Sequence, residues 1–449
     1  MLDQSKFDTI TSDLLRPIRL NKAFILWMGF LGVSLLICLY AYILQLINGL
    51  GVAGIRDYVT WGMYLSNFVF FVATSLIGML ISAVLGLSGV KWASPLARIA
   101  EIIALAFALV AGLVIVSDMG RPERLLYVFI HGRIQSPIIW DVTVVSIYIV
   151  ISALLLYLPL IPDLKICYDK LDKVSKIQRN IYKILSLNWN NSPEQQKIIK
   201  QATRVLAIFI IPVALAIHTV TSWLFAVTPI EGWDSSIFGP YFVTGAFVCG
   251  CAAVIIAMYF YRKNYKLQEY ITDSHFDNMG KLLVLVSLVY IYFNLNEYMV
   301  PGYKLKRNDA IHLHELFIGA HALLFWSTQI LGLLLPTILL LFKKIRKPTP
   351  MMIIALFVLV GAWFKRYIIV VPVQEHPYLP IQNVPLNFKV YTPTLIEILI
   401  TVAPFLLVLI IITVLSKVIP IIPIHEMLEE EIPPIPEGVL DAVKVKTEN

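Results

Sequence analysis

A short stretch of this chain gathers four residues able to do chemistry together: Asp118, Arg121, His131 and Asp141, with Trp140 beside the last. Asp118 closes one apolar run and leads into Met119-Gly120-Arg121-Pro122-Glu123-Arg124; Asp141 opens the next run behind Ser136-Pro137. If both runs are helices, the hairpin between them returns the two carboxylates to one depth. Tyr64 and Asn67, which share a face at i, i+3, belong to the preceding run and start at the same level. Two carboxylates, an imidazole and a guanidinium beside aromatic rings meet the needs of a quinone head group. Its carbonyl oxygens take hydrogen-bond donors, and two protons must be accepted when a quinol is oxidised. The same side chains have plainer uses. Arg121 and Arg124 can cap the end of the first run, and Asp141 can N-cap the second.

Further along, polar residues fall at helical spacing inside apolar surroundings. Tyr290, Asn294 and Glu297 form one stripe, His314 and His321 another with Glu315 beside them, and Lys365-Arg366 interrupt a later run. Glu101 and His218 stand in two earlier runs, and Asp277 and Asn278 precede the Tyr290 stripe. Ion pairs account for several of these: Arg98 lies one turn before Glu101, and Arg366 is a partner for Glu297.

The elements that must position these residues are membrane helices. The 449 residues are 58% hydrophobic and 14% charged, and the mean hydropathy is +0.78, whereas soluble domains are only about half apolar. Apolar runs of roughly 20 residues recur, each long enough for a helix to cross a hydrocarbon layer of about 30 Å, and twice the length of a barrel strand. Ten spans are predicted: 23–47, 61–87, 96–118, 138–160, 203–227, 239–261, 280–300, 312–342, 350–371 and 393–418. Lys and Arg concentrate in the N-tail, the even-numbered loops and the C-tail, so the positive-inside rule places both termini in the cytoplasm. The net charge of +7 thus reports topology and lipid contact, and it gives no reason to expect nucleic acid. Cys38, Cys167, Cys249 and Cys251 show neither a disulfide framework nor metal-ligand spacing. The first apolar run is too long for a signal peptide, so the N-terminus is expected to be retained.

The expected organisation is all-α: an N-tail (1–22), a ten-helix membrane domain (23–419) and a C-tail (420–449) whose Pro- and Glu-rich start suits an extended path along a partner. The basic loop 161–202 is expected to lie as amphipathic helix on the membrane surface. Trp61-Gly62-Met63-Tyr64 can be laid on Phe238-Gly239-Pro240-Tyr241, with Phe70 opposite Phe247. The match is four spans apart, which predicts two parallel four-helix bundles, 61–227 and 239–371, flanked by the first and last spans.

The segments WGMYLSNFVFF (61–71), SDMGRPERL (117–125), SPIIWD (136–141), HTVTSWLF (218–225) and FKRYIIVVP (364–372) together resemble the NrfD/PsrC family, in an order and spacing that cover nearly all ten spans. That family supplies quinone-interacting membrane subunits of polysulfide reductase and related complexes, and of alternative complex III. The resemblance implies a subunit of the prokaryotic cytoplasmic membrane that contains no haem or flavin and exchanges electrons between a quinol, of menaquinone type, and a ferredoxin-like iron–sulfur subunit. Molybdopterin-type or multihaem cytochrome subunits and a second NrfD-like membrane subunit are further implied partners. The implied quinone site lies near the outer surface in the first bundle, among Tyr64, Asn67, Asp118, Arg121, His131, Trp140 and Asp141. Asp118 stands before Gly-Arg-Pro where members have His or Asp, and Asp141 matches the Trp-Asp acid; Ala73-Thr74-Ser75 departs from the polar pair that many relatives carry. The resemblance also implies a proton route among Glu101, His218, Asp277, Tyr290, Asn294, Glu297, His314, Glu315, His321 and Arg366. Two other classes compete. A haem b-binding anchor would use His218 with His321 as axial ligands, and a secondary transporter would exploit the repeat and the buried charges.

Overall fold

The computed structural model describes residues 4–171, 174–228, 230, 232–377, 381–385 and 388–431. Ten helices in it are long and apolar enough to cross a membrane, and the chain is a polytopic α-helical membrane protein. We number them α1 (Lys22–Asn48), α2 (Met63–Leu85), α3 (Lys91–Asp118), α4 (Pro137–Tyr157), α5 (Pro193–Ala226), α6 (Phe238–Tyr265), α7 (Asp273–Lys304), α8 (Ala322–Leu340), α9 (Pro348–Gln374) and α10 (Leu395–Val418). Helix starts follow local chemistry. Asn21 accepts a hydrogen bond from the Phe24 amide at 2.8 Å, Ser192 accepts from that of Gln195 and Thr394 from that of Glu397.

α2, α3 and α6 form the centre, and most of their residues are buried. α2 packs on α3, α4 on α5, and α6 on α7 and α9, while α2 and α5 both meet α6. α1 and α10 pair with each other, and α10 also leans on α2 and α3. The outer faces of α1 and α7 carry exposed Leu, Ile, Val and Tyr, as lipid contact requires. Two close approaches rest on glycine. A Cβ on Gly78 would come within 2.6 Å of the Ala104 methyl on α3, and one on Gly332 within 2.7 Å of the Gly361 Cα on α9. Each approach adjoins a π-helical segment, Met79–Leu85 in α2 and Ile330–Leu334 in α8. Such segments are rare and often accompany sites.

Three expectations change. The predicted span 312–342 is two helices, Arg307–Phe317 and α8, because the chain turns at 318–321. The Glu315 carboxylate accepts the Ala320 amide at 3.0 Å, and this local bond competes with helix continuation. His314 and His321 therefore share no stripe. The loop after α4 is not wholly superficial, since its helix Leu160–Lys170 buries Leu160, Ile161, Asp163, Leu164 and Cys167. The start of the C-tail packs on its own chain and is not extended throughout, since Ile424–Glu431 is helical. Ile421, Ile422 and Ile424 are buried, and the amides of Ile424 and His425 donate to Asp163 at 3.1 and 2.9 Å. Residues 432–449 of that tail lie outside the described residues.

Candidate functional site

The helices present their polar groups mainly at two levels, here called the Asp118 end and the Glu101 end. At the Asp118 end α1, α2, α3 and α10 converge. Gln45 is buried on α1, donates to the Ser117 carbonyl at 2.7 Å and accepts the Tyr64 hydroxyl at 2.6 Å. Asp118, the last residue of α3, is half-buried next to that contact and makes no hydrogen bond or ion pair among the described residues. Asn67 is one turn deeper, donating to the Thr401 carbonyl at 2.8 Å and accepting from the Trp363 indole at 2.6 Å. Tyr64 and Asn67 thus reach α1, α10 and α9, across the groups that sequence alone would separate.

Glu397 belongs to this layer although no sequence pattern singled it out. It is fully buried, takes the Tyr391 hydroxyl, and accepts the amides of Gly54 at 2.7 Å and Met63 at 3.3 Å. Gly62 makes that approach possible, since a Cβ there would lie 2.8 Å from the Glu397 carboxylate. The available signal was an acid between two isoleucines, three residues after a threonine cap. Gln374 at the end of α9 does similar work, accepting from the Thr60 and Trp61 amides at 3.1 Å and donating to the Trp61 carbonyl at 2.8 Å. Together these two side chains fasten the loop that starts α2. Glu397→Gln turns an acceptor-only group into one that presents an NH₂ to donors, and is expected to lower unfolding stability by about 2 kcal/mol. Denaturant titration of the purified protein in detergent checks this.

The other residues expected in this site are placed apart. Asp141 is buried and accepts the Thr221 hydroxyl of α5 at 2.5 Å. Trp140 donates its indole N–H to the Ile134 carbonyl and meets Trp223 edge-on at 6.0 Å. Arg121 is exposed ahead of the single turn Pro122–Arg124, and His131 is exposed against the Tyr127 ring, 5.2 Å away. No hydrogen bond, ion pair or ring contact joins Arg121, His131 or Asp141 to Tyr64 among the described residues.

A second group lies where α6, α7, α8 and α9 meet. Tyr290, Asn294 and Glu297 all point inward from α7. Asn294 accepts from the Tyr241 hydroxyl at 3.3 Å and donates to Gln329 at 2.8 Å. Lys365 donates to the Tyr298 hydroxyl and lies 4.6 Å from the centre of that ring. Glu297 faces Ser235 and Lys365 and not Arg366, the expected partner. It lines a cavity of about 30 Å³ with Asp309 and His312. Burial lowers the His312 imidazole to about 4, so it stays neutral at ordinary pH. His321 contacts Glu375 at 2.8 Å and His314 is exposed. His218 is buried on α5, its Nδ1 3.2 Å from the Ala214 carbonyl.

At the Glu101 end an open cleft of about 590 Å³ runs between α2, α3, α5 and the C-terminal segment, with Glu101, Ser82, Lys91, Arg204 and Pro423 among its walls. Glu101 accepts from Ser82 in the π-helical turn of α2. Arg98 makes its hydrogen bonds elsewhere: the guanidinium bonds Asp163, in a fully buried pair, and the Pro159 carbonyl. Asp277 is held by Arg346 at 2.7 Å and Lys281 at 2.6 Å.

The family model described as "Polysulphide reductase, NrfD" matches residues 51–377. The chain is 26% identical over 325 residues to a candidate membrane subunit of dimethyl sulfoxide reductase from Halobacterium salinarum, covering 72% of this chain and 71% of that one. It is 24% identical to a subunit of selenate reductase from Mesobacillus selenatarsenatis, over 80% of this chain and 84% of the relative. It is 22% identical to an Hdr-like menaquinol oxidoreductase integral membrane subunit of Archaeoglobus fulgidus, over 87% and 92%. The family match runs from the loop before α2 to the end of α9 and takes in every element that builds the Asp118 end except α1 and α10, so the chain belongs to the NrfD family.

Proposed function

We propose that this chain is the quinol-interacting membrane subunit of a respiratory oxidoreductase complex, with the quinol head group bound at the Asp118 end. The observation that carries this reading is Asp118 itself. It is a half-buried carboxylate with no hydrogen-bond partner among the described residues, beside the Gln45–Tyr64 pair and within electrostatic reach of that tyrosine. The residues fit a quinol head: Asp118 accepts a hydroxyl proton, Tyr64 and Gln45 orient an oxygen through their hydroxyl and amide, and Glu397 behind them accepts from Tyr391. A bound quinol supplies two electrons and two protons. This chain offers a proton acceptor and hydrogen-bond donors there, and the electrons pass to an iron–sulfur subunit docked over that end. The word menaquinol in the name of the Archaeoglobus relative favours a menaquinone-type head group.

The Lys and Arg residues of the N-tail and of the loops at the Glu101 end support a cytoplasmic position for that end, in a prokaryotic cytoplasmic membrane. Of the residues proposed for a proton route, Glu101 opens onto the large cleft and Glu297 onto the small cavity, where water can meet a buried acid. A photoreactive azido-menaquinone, activated in membranes that hold the intact complex, tests the site. Expected labelling falls on peptides carrying Gln45, Tyr64 or Asp118 and is competed by unlabelled menaquinone. Labelling confined to the cleft beside Glu101 overturns the assignment.

A further inference from the structure

The cavity beside Arg366 is about 20 Å³, room for one water-sized particle. The nitrogens left open at its wall are all donors. Arg366 is 2% exposed, and its Nε and Nη2 have no hydrogen-bond partner. The Gln329 amide nitrogen, also on this wall, is likewise buried without a partner, and the Tyr290 hydroxyl lies beside the guanidinium. The Gln329 oxygen is already taken by Asn294 at 2.8 Å, which leaves only its N–H groups for the cavity.

A guanidinium is charged at any accessible pH, and a buried charge without a counter-charge is strongly unfavourable. No carboxylate forms an ion pair with Arg366 among the described residues; Glu297 faces Lys365, the neighbouring cation. The Phe242 ring, 5.6 Å from the guanidinium carbon, offers a π-face but no hydrogen-bond acceptor. A water molecule there would hydrate the guanidinium without supplying the missing counter-charge. The space is also maintained by glycine. A Cβ on Gly245 would come within 2.9 Å of both Arg366 Nη2 and the Tyr290 ring, and the Gly332–Gly361 contact closes the far wall.

We propose that this cavity binds one small monovalent anion, a halide such as chloride, held by Arg366, Tyr290 and Gln329 and serving as the counter-ion of the α6–α9 group. The size excludes sulfate or phosphate, and donors from α7, α8 and α9 make the anion a tie between three helices.

Equilibrium binding of radioactive chloride to the full chain in its purified complex, with gluconate holding ionic strength constant, tests this. Saturable binding is expected, and Arg366→Gln is expected to remove one site per chain. Tyr290→Phe keeps the charge and removes one donor, so it is expected to weaken that site about three- to tenfold. This second variant decides the matter if Arg366→Gln fails to assemble. Bromide soaked into crystals is expected to give an anomalous peak between these side chains. Equal chloride stoichiometry and affinity in wild type and Tyr290→Phe, or a water only at that position in the bromide map, overturns the proposal.

Discussion

Asp118→Asn is expected to lower quinol-dependent turnover of the intact complex by about 100-fold, the scale of losing a positioned general base. The substitution conserves volume, and Asp118 carries no hydrogen bond or ion pair among the described residues, so assembly and stability should be unchanged. What disappears is a carboxylate beside Gln45 and Tyr64 whose proton-accepting oxygens, unlike those of Glu397, hold no hydrogen bond among the described residues. Binding should survive, because the orienting groups remain, and the loss should appear in the maximal rate more than in the quinol concentration needed to reach half of it. Asp141→Asn is the companion measurement. A comparable loss would put both acids in one site; unchanged turnover would leave Asp141 to its 2.5 Å bond with Thr221 in the α4–α5 packing. Full activity of Asp118→Asn in a correctly assembled complex sinks the proposed site.

The largest effect on stability is expected at Asp163. Its carboxylate is fully buried, pairs with the equally buried Arg98, and accepts the amides of Ile424 and His425. Asp163→Ala strands a guanidinium in the interior and frees two amides. Removing one partner of a buried pair costs about 3–5 kcal/mol, which should show as a lower unfolding midpoint of the purified protein. A second readout separates charge from tether. The bonds to Ile424 and His425 hold the segment after α10 against the helix Leu160–Lys170, so the variant should become sensitive to protease beyond Ile419. Replacing both partners by apolar residues, Arg98→Met with Asp163→Leu, should recover most of the stability because no charge is left buried. It should not restore protease resistance. Wild-type stability in Asp163→Ala would show that Arg98 finds another counter-charge and that the pair is dispensable.

Much of this molecule is legible in one dimension because lipid imposes a simple rule. With no water to bond the backbone, each crossing must be a helix of about 20 apolar residues. The ten predicted runs therefore reappear as ten helices, with errors where local bonds compete. α5 begins at Pro193, earlier than hydropathy alone suggested, because Ser192 caps it in the polar segment. The run at 312–342 breaks because the Glu315 side chain takes an amide that the helix would have used.

Which buried charges meet was not legible. Spacing along one helix pointed to Arg98 with Glu101 and left Glu297 for Arg366. The fold instead gives Arg98 to Asp163 and Glu101 to Ser82, sets Glu297 toward Ser235 and Lys365 with no ion pair among the described residues, and leaves Arg366 to a cavity. Glu397 and Gln45 escaped attention because single polar residues near the ends of α10 and α1 look like ordinary boundary residues. Only the pairing of those two helices against α2 and α3 brings them to Tyr64 and the Asp118 level. The number of crossings, their approximate limits and the residue types held in lipid could all be read from the order of residues, since they depend on transfer free energy summed along the chain. Which acid faces which base could not. A buried charge takes its partner from whichever helix the packing brings within hydrogen-bond reach, and that distance leaves no mark on the order of residues.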